Sequence, residues 1–173
     1  NMANDLKETD PLVKFIIEPL FARELRPVTV HMFNPHVPEA DIAIFLKRFL
    51  DIQGEGKKVL DEEGIWNFKR RYMARFRPSK TSLGGVLHPP ATFYIGPNRG
   101  YLVYSGQPKT CRKCGQEGHL VVDCVEQLCR RCGQIGHSAV SCREDMVCNL
   151  CGGQGHVYRA CPKKIKTFAS VVA

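Results

Sequence analysis

No cysteine occurs among the first 110 residues of this 173-residue chain. No apolar run reaches the ~18 residues of a membrane-spanning helix, so no segment is expected to cross a bilayer. No Ser/His/Asp set, phosphate-cradling glycine loop with its lysine, or paired-carboxylate motif stands out, and the chain is not expected to be an enzyme. His31, His36 and His88 have no cysteine or carboxylate cluster at ligand spacing and read as structural or surface residues. No secretory signal is visible, which argues against an oxidising destination. The chain opens on Asn1-Met2, and the natural protein is expected to extend upstream.

What the sequence does hold is concentrated after that cysteine-free stretch. All nine cysteines fall into one spacing, C-x2-C-x4-H-x4-C, repeated three times. The sets are Cys111, Cys114, His119 and Cys124; Cys129, Cys132, His137 and Cys142; and Cys148, Cys151, His156 and Cys161. Three thiolates and one imidazole complete a tetrahedral Zn2+ site, so three structural zinc ions are expected, with no open position for catalysis. A disulfide framework is disfavoured: nine is odd, and the three histidines repeat in phase with the cysteines. Gly115, Gly133 and Gly152 follow the second cysteine of each set, and Gly118, Gly136 and Gly155 precede the histidine. Both places suit a backbone that must turn sharply around the ion. Each unit spans 14 residues, too few for an apolar core. Metal binding must then supply the folding free energy, on the order of 10–16 kcal/mol per zinc.

The formal charge is +8. A loaded Cys3His site carries three thiolates against two metal charges, so three zincs leave about +5. Residues 1–110 hold 16 basic and 12 acidic side chains, and residues 111–173 hold 9 and 5. Each part is +4 before the zinc correction, so the first part is expected to be the stronger electrostatic anchor for a polyanion. Cysteines held as thiols imply the cytoplasm or the nucleus.

Ahead of the knuckles, Thr9-Asp10-Pro11 reads as a helix start, with Pro19 limiting its length. Val28–Phe33 reads as a strand, and Asn34–Val37 as a turn. Pro38-Glu39 opens a second helix with Ile42, Phe45, Leu46, Phe49 and Leu50 on one stripe, ended by Gly54 and Gly56. Lys58–Leu60 reads as a short strand. Trp66–Arg77 splits by parity: Trp66, Phe68, Arg70, Tyr72, Ala74 and Phe76 on one face, Asn67, Lys69, Arg71, Met73, Arg75 and Arg77 on the other. The aromatic face is expected on the helices and the basic face in water, with Arg70 stacked on a ring or capping the core rim. Residues 78–90 read as a loop, and 93–95 with 101–104 as a hairpin around Gly96–Gly100. The fold class expected is α+β: a two-layer antiparallel sheet with helices on one face, similar in outline to an RNA-recognition motif, followed by three tandem CCHC zinc knuckles. No second crossover helix and no aromatic-rich base-stacking signature are visible. The boundaries expected are 9–105 for this domain, 106–110 for a linker, 111–124, 129–142 and 148–161 for the knuckles, and 162–173 for a basic tail.

Two readings of the basic strand stand: a solvated face that guards the sheet, or a phosphate-tracking stripe made of Lys69, Arg71, Arg75 and Arg77. In the knuckles, the residue after the first cysteine, where nucleocapsid-type knuckles carry a base-stacking aromatic, is Arg112, Arg130 and Asn149. Tyr158 is the only ring in the array. Arg112, Lys113, Arg130 and Arg131 suit phosphates, so backbone-dominated binding with little base preference is expected. Knuckle three has Asn149 and Leu150 in place of the basic pair; nucleic-acid contact, with Tyr158 as a candidate contact residue, stays open for it beside protein contact or packing on a neighbour.

Three knuckles preceded by HMFNPHVPEADI, GIWNFKRRYMARFR and IGPNRGYLVYSGQPKTCRKCGQEGH closely resemble the C-terminal region of the vertebrate zinc finger CCHC domain-containing protein three family. Similar segments look like those of Gag-like proteins of fish retroelements. The resemblance implies a co-sensor of cytosolic viral double-stranded DNA and RNA in innate immunity and antiviral defence. It implies cyclic GMP-AMP synthase and the RIG-I-like RNA helicase receptors as partners. The alternatives are a retroelement-derived protein that packages and anneals single-stranded RNA, and a protein-interaction scaffold.

Overall fold

The structure is a computed structural model that describes residues 24–82, 85–116 and 118–165. Its elements in chain order are β1 (Arg26–Met32), α1 (Glu39–Leu46), β2 (Leu50–Leu60), β3 (Trp66–Phe76), β4 (Thr92–Ile95) and β5 (Asn98–Tyr104), with a 3-10 turn at Tyr158–Ala160. The strands form one five-stranded sheet in the order β2-β3-β1-β5-β4, and every pairing is antiparallel. The α+β class holds, with α1 on one face of the sheet. The helix expected to start at Thr9-Asp10-Pro11 lies outside the described residues. No described helix is long and apolar enough to cross a membrane.

Alternation builds the two faces. Val28, Val30 and Met32 of β1, Tyr72, Ala74 and Phe76 of β3, and Leu102 and Tyr104 of β5 point inward with Ile42, Phe45 and Leu46 of α1. The Phe45 ring stacks on Phe93 of β4 at 4.3 Å. Glu39 and Asp41 occupy the first turn of α1, where the helix dipole favours negative charge.

Two local expectations are corrected. The helical stripe does not run through Leu50: α1 ends at Leu46 and Leu50 opens β2. The periodicity misled because Phe49, in the turn, still meets Phe45 at 5.5 Å, and Leu50 is still buried from the strand. Pairing with β3 over the length of β2 outweighs a weak helical preference in a segment holding Gly54 and Gly56. Gly56 itself lies against the Tyr72 ring, where a Cβ would come within 2.4 Å. The second correction is Phe68. Parity placed it inward, but it is exposed and has φ +63°. The β2–β3 register shifts between Lys58 and Leu60, and such a bulge flips the side chain to the other face. From Arg70 to Phe76 the alternation runs as expected. Arg70 is buried, donates to the carbonyls of Pro35 and Val37, and lies 4.8 Å over Trp66.

The hairpin is tighter than expected. Asn98 pairs with Ile95, so Gly96-Pro97 alone makes the turn, with Gly96 at φ +58°, as a two-residue hairpin favours. The segment between β3 and β4 holds no α-helix among its described residues. Cys148, Leu150 and Cys161 of knuckle three join the same buried cluster as the sheet and α1.

Candidate metal centres and nucleic-acid surface

Each knuckle is built the same way. The N–H of the glycine after the second cysteine donates to the carbonyl of the first: Gly115 to Cys111 at 2.8 Å, Gly133 to Cys129 at 2.9 Å, Gly152 to Cys148 at 2.7 Å. This closes the turn and sets two sulfurs side by side. All six knuckle glycines singled out in the sequence have positive φ. The four ligand atoms of each set lie within 4.8 Å of one another. His119, His137 and His156 present Nε2 at 3.3 Å from Cys114, Cys132 and Cys151. The Nδ1 of His156 lies 3.2 Å from the carbonyl of Gln154, an arrangement that leaves Nε2 unprotonated for a metal. No disulfide links the nine cysteines.

The thiols are graded in acidity. Burial raises Cys111, but the N–H groups of Cys114 and Lys113 and the adjoining thiols outweigh it and bring it to about 6. The same balance brings Cys129 to about 6 and Cys151 to about 7. Cys124, Cys142 and Cys161 are pushed up, first by burial and also by sharing hydrogen bonds with those acidic thiols, Cys161 to about 11. The donor set and geometry fit one structural Zn2+ per knuckle.

The open face of the sheet carries the basic strand. Lys69, His31, Tyr101 and Thr92 stand in one row across β3, β1, β5 and β4. Arg71 faces Thr29 in the next row, and Arg75 is exposed on the same side. Arg77, expected in this stripe, is instead held by Asp51, which it contacts at 3.0 and 2.8 Å, and it also donates to the carbonyl of Arg48. Burial, then the positive charge of Lys69, lowers the pKa of His31.

The sequence reading missed an aromatic patch on this face. His31 and Tyr101 meet at 4.8 Å, and Phe33 lies 5.4 Å from His31 and 6.0 Å from Tyr101. Phe33 is 59% exposed, with Arg99 over its ring at 5.8 Å. The signal was divided between two segments about 70 residues apart in the chain. Only the β1–β5 register joins them.

The knuckles continue from this face. Arg130 of knuckle two lies 5.1 Å over Tyr94 of β4. Arg112 and Arg131 are exposed, whereas Lys113 folds back onto the Cys124 carbonyl at 2.9 Å. Ile135 packs on the cysteines of knuckle one, and Val147 donates to the Arg131 carbonyl between knuckles two and three. Tyr158 does not stand out as a base-stacking ring. Its edge lies against Gly96, Lys164 covers it at 4.4 Å, and its hydroxyl donates to Asp41 at 2.6 Å. Of the tail lysines, Lys163 and Lys164 are described and Lys166 is not.

Against this geometry the comparisons are specific. Residues 30–104 match the family described as "ZCCHC3, second RNA-binding domain", and residues 109–125 and 127–144 match the zinc knuckle family. Human zinc finger CCHC domain-containing protein 3 is 37% identical over 159 residues, which cover 92% of this chain and 39% of that protein. The mouse protein of the same name is 38% identical over 141 residues, covering 82% of this chain and 34% of that protein. The chain therefore spans between a third and two fifths of the length of the curated relatives it matches. No solved structure matches the chain. Residues 30–104 are thus similar to the ZCCHC3 second RNA-binding-domain family, residues 109–125 and 127–144 to the zinc-knuckle family, and the chain as a whole to zinc finger CCHC domain-containing protein 3.

Proposed function

We propose that this chain is a non-enzymatic, zinc-dependent nucleic-acid-binding protein that grips the phosphate backbone of double-stranded DNA and RNA with little sequence preference. The observation that carries this is the gathering of Lys69, Arg71 and Arg75 on one solvent face of an RNA-binding-type domain, with Arg130 of knuckle two seated at the edge of that face. Phosphate contacts position a protein without reading sequence. Two linked basic surfaces gain avidity because the second contact is intramolecular.

The role follows the resemblance: a co-sensor of cytosolic viral nucleic acid that works in the cytoplasm, with access to the nucleus, beside cyclic GMP-AMP synthase and the RIG-I-like RNA helicase receptors. A second reading has its own support. The His31–Phe33–Tyr101 patch offers ring faces that only unpaired bases can use, as a single-stranded RNA-packaging protein requires.

Fluorescence anisotropy with matched single- and double-stranded RNA and DNA, across a salt series, tests both. Backbone binding predicts a steep negative slope of log affinity against log salt for every substrate. A flat slope removes the proposal. A strong preference for single strands that persists at high salt selects the second reading.

A further inference from the structure

Knuckle three differs from its neighbours at three positions where it meets the sheet domain. After its first cysteine stands Asn149, where knuckles one and two have Arg112 and Arg130. Its amide clamps the backbone of Gly96: Oδ1 accepts from the Gly96 N–H at 2.9 Å, and Nδ2 donates to the Gly96 carbonyl at 2.8 Å. Next is Leu150, fully buried, where Lys113 and Arg131 are exposed. Two residues after the histidine is Tyr158, where the others have Val121 and Ala139. Its hydroxyl is bound to Asp41 of α1.

The glycine after the second cysteine tells the same story. A Cβ at Gly115 or Gly133 would meet nothing within 4 Å, but one at Gly152 would lie 2.9 Å from the Arg48 guanidinium. Arg48 donates to the Asn149 carbonyl at 3.2 Å, lies 5.4 and 5.1 Å over Phe45 and Phe49, and sets its charge beside the Cys148 and Cys151 sulfurs. That charge offsets the net −1 of a loaded Cys3His site. The side of the knuckle that would offer a base its platform is thus turned onto the β4–β5 turn.

We propose that knuckle three is a structural part of the sheet domain: it packs on the inner face beside α1, and its zinc stabilises that domain rather than contacting nucleic acid. The assignment goes beyond the proposed function and does not depend on which substrate the open face takes. It makes the three zinc sites unequal. Sites one and two serve the knuckles that hold them, whereas site three serves the platform on which the rest is mounted.

The test uses the full zinc-loaded chain and the emission of Trp66, the single tryptophan, which sits at the start of β3. The double variant Asn149→Ala/Tyr158→Phe keeps all four ligands of site three. It is expected to lower the melting midpoint by roughly 5–15 °C, while Val121→Ala, at the position in knuckle one that corresponds to Tyr158, moves it by no more than about 2 °C. In a second arm, His156→Ala is compared with His119→Ala, with zinc counted by a colorimetric chelator. A Trp66 transition that is lowered or lost in His156→Ala and kept in His119→Ala supports the assignment. Equal midpoints in the first pair, or in the second, overturn it.

Discussion

The phenol of Tyr158 reaches from the third knuckle to the carboxylate of Asp41 in α1, a 2.6 Å hydrogen bond spanning 117 positions of the chain. Asp41 is fully buried, and its other carboxylate oxygen has no hydrogen-bond partner. A buried carboxylate needs every donor it can find. The bond therefore matters as much to the helix as to the knuckle. Burial, and then the neighbouring carboxylate, pushes the Tyr158 phenol far above its ordinary range, so it remains a donor at any physiological pH.

Tyr158→Phe removes that donor and leaves the carboxylate stranded. The expected loss is about 1–3 kcal/mol, the cost of a buried group left unsatisfied. Asp41→Asn in the same background should recover part of it, because the neutral amide is less costly to bury. Urea unfolding of the two single variants and the double gives the coupling directly. Strict additivity would mean that the contact carries no energy.

Four cations in the basic strand look alike in sequence, but the structure separates them. Lys69, Arg71 and Arg75 lie on the open face, whereas Arg77 is paired with Asp51 at 2.8 Å. Charge reversal at Arg71 or Arg75 should weaken binding to all substrates alike and shrink the salt slope by roughly 0.7–0.9 per lost contact. Arg77→Ala should leave the slope unchanged and cost the fold ~0.2–1 kcal/mol, as expected for a largely exposed ion pair. Anisotropy across a salt series, with a thermal melt on each variant, checks both halves.

His31 supplies a pH signature. Its pKa lies below the ordinary 6.5, held there by burial and by Lys69. The folded state therefore binds fewer protons than the unfolded chain just below pH 6.5, so the stabilising contribution of His31 is full above that value and is lost as the pH falls below it. A polyanion on the open face should reverse the shift by screening Lys69 and pairing with the imidazolium. Binding is then linked to proton uptake and tightens between pH 7.5 and about 6. An NMR titration of the His31 ring, with and without an oligonucleotide, should show the pKa rise on binding. An unmoved pKa would place the nucleic acid elsewhere.

The parts legible in the sequence were those whose signal is local. C-x2-C-x4-H-x4-C fixes a metal site within 14 residues, and the ligand sets came out complete. Strand β3 declared itself through its parity, up to the bulge that turned Phe68 outward. What depends on register between distant segments was hidden. Phe49 and Leu50 satisfied a helical stripe and a turn-to-strand transition equally well, and only the partner strand decides between them. Asn149 and Leu150 marked knuckle three as different. That Asn149 would clamp Gly96, however, required the hairpin turn to be in place.

The aromatic patch is the sharpest case of hidden register, and it yields the prediction that separates the two readings of function. Neither His31 and Phe33 nor Tyr101 resembles a stacking motif in sequence. Brought together across β1 and β5, they form a ring cluster bordered by Lys69 and Arg99. A ring face can be used by a base only when the base is unstacked, so a duplex gains nothing from it. Tyr101→Ala and Phe33→Ala should each weaken binding to single-stranded RNA by about 1–3 kcal/mol where a base is seated. Duplex binding, which depends on charge, should hardly move. Tyr101→Phe should restore the single-strand affinity, since stacking needs the ring and not the hydroxyl. If all three variants bind both substrates as the parent chain does, the patch serves the fold, and the cations alone carry the interaction.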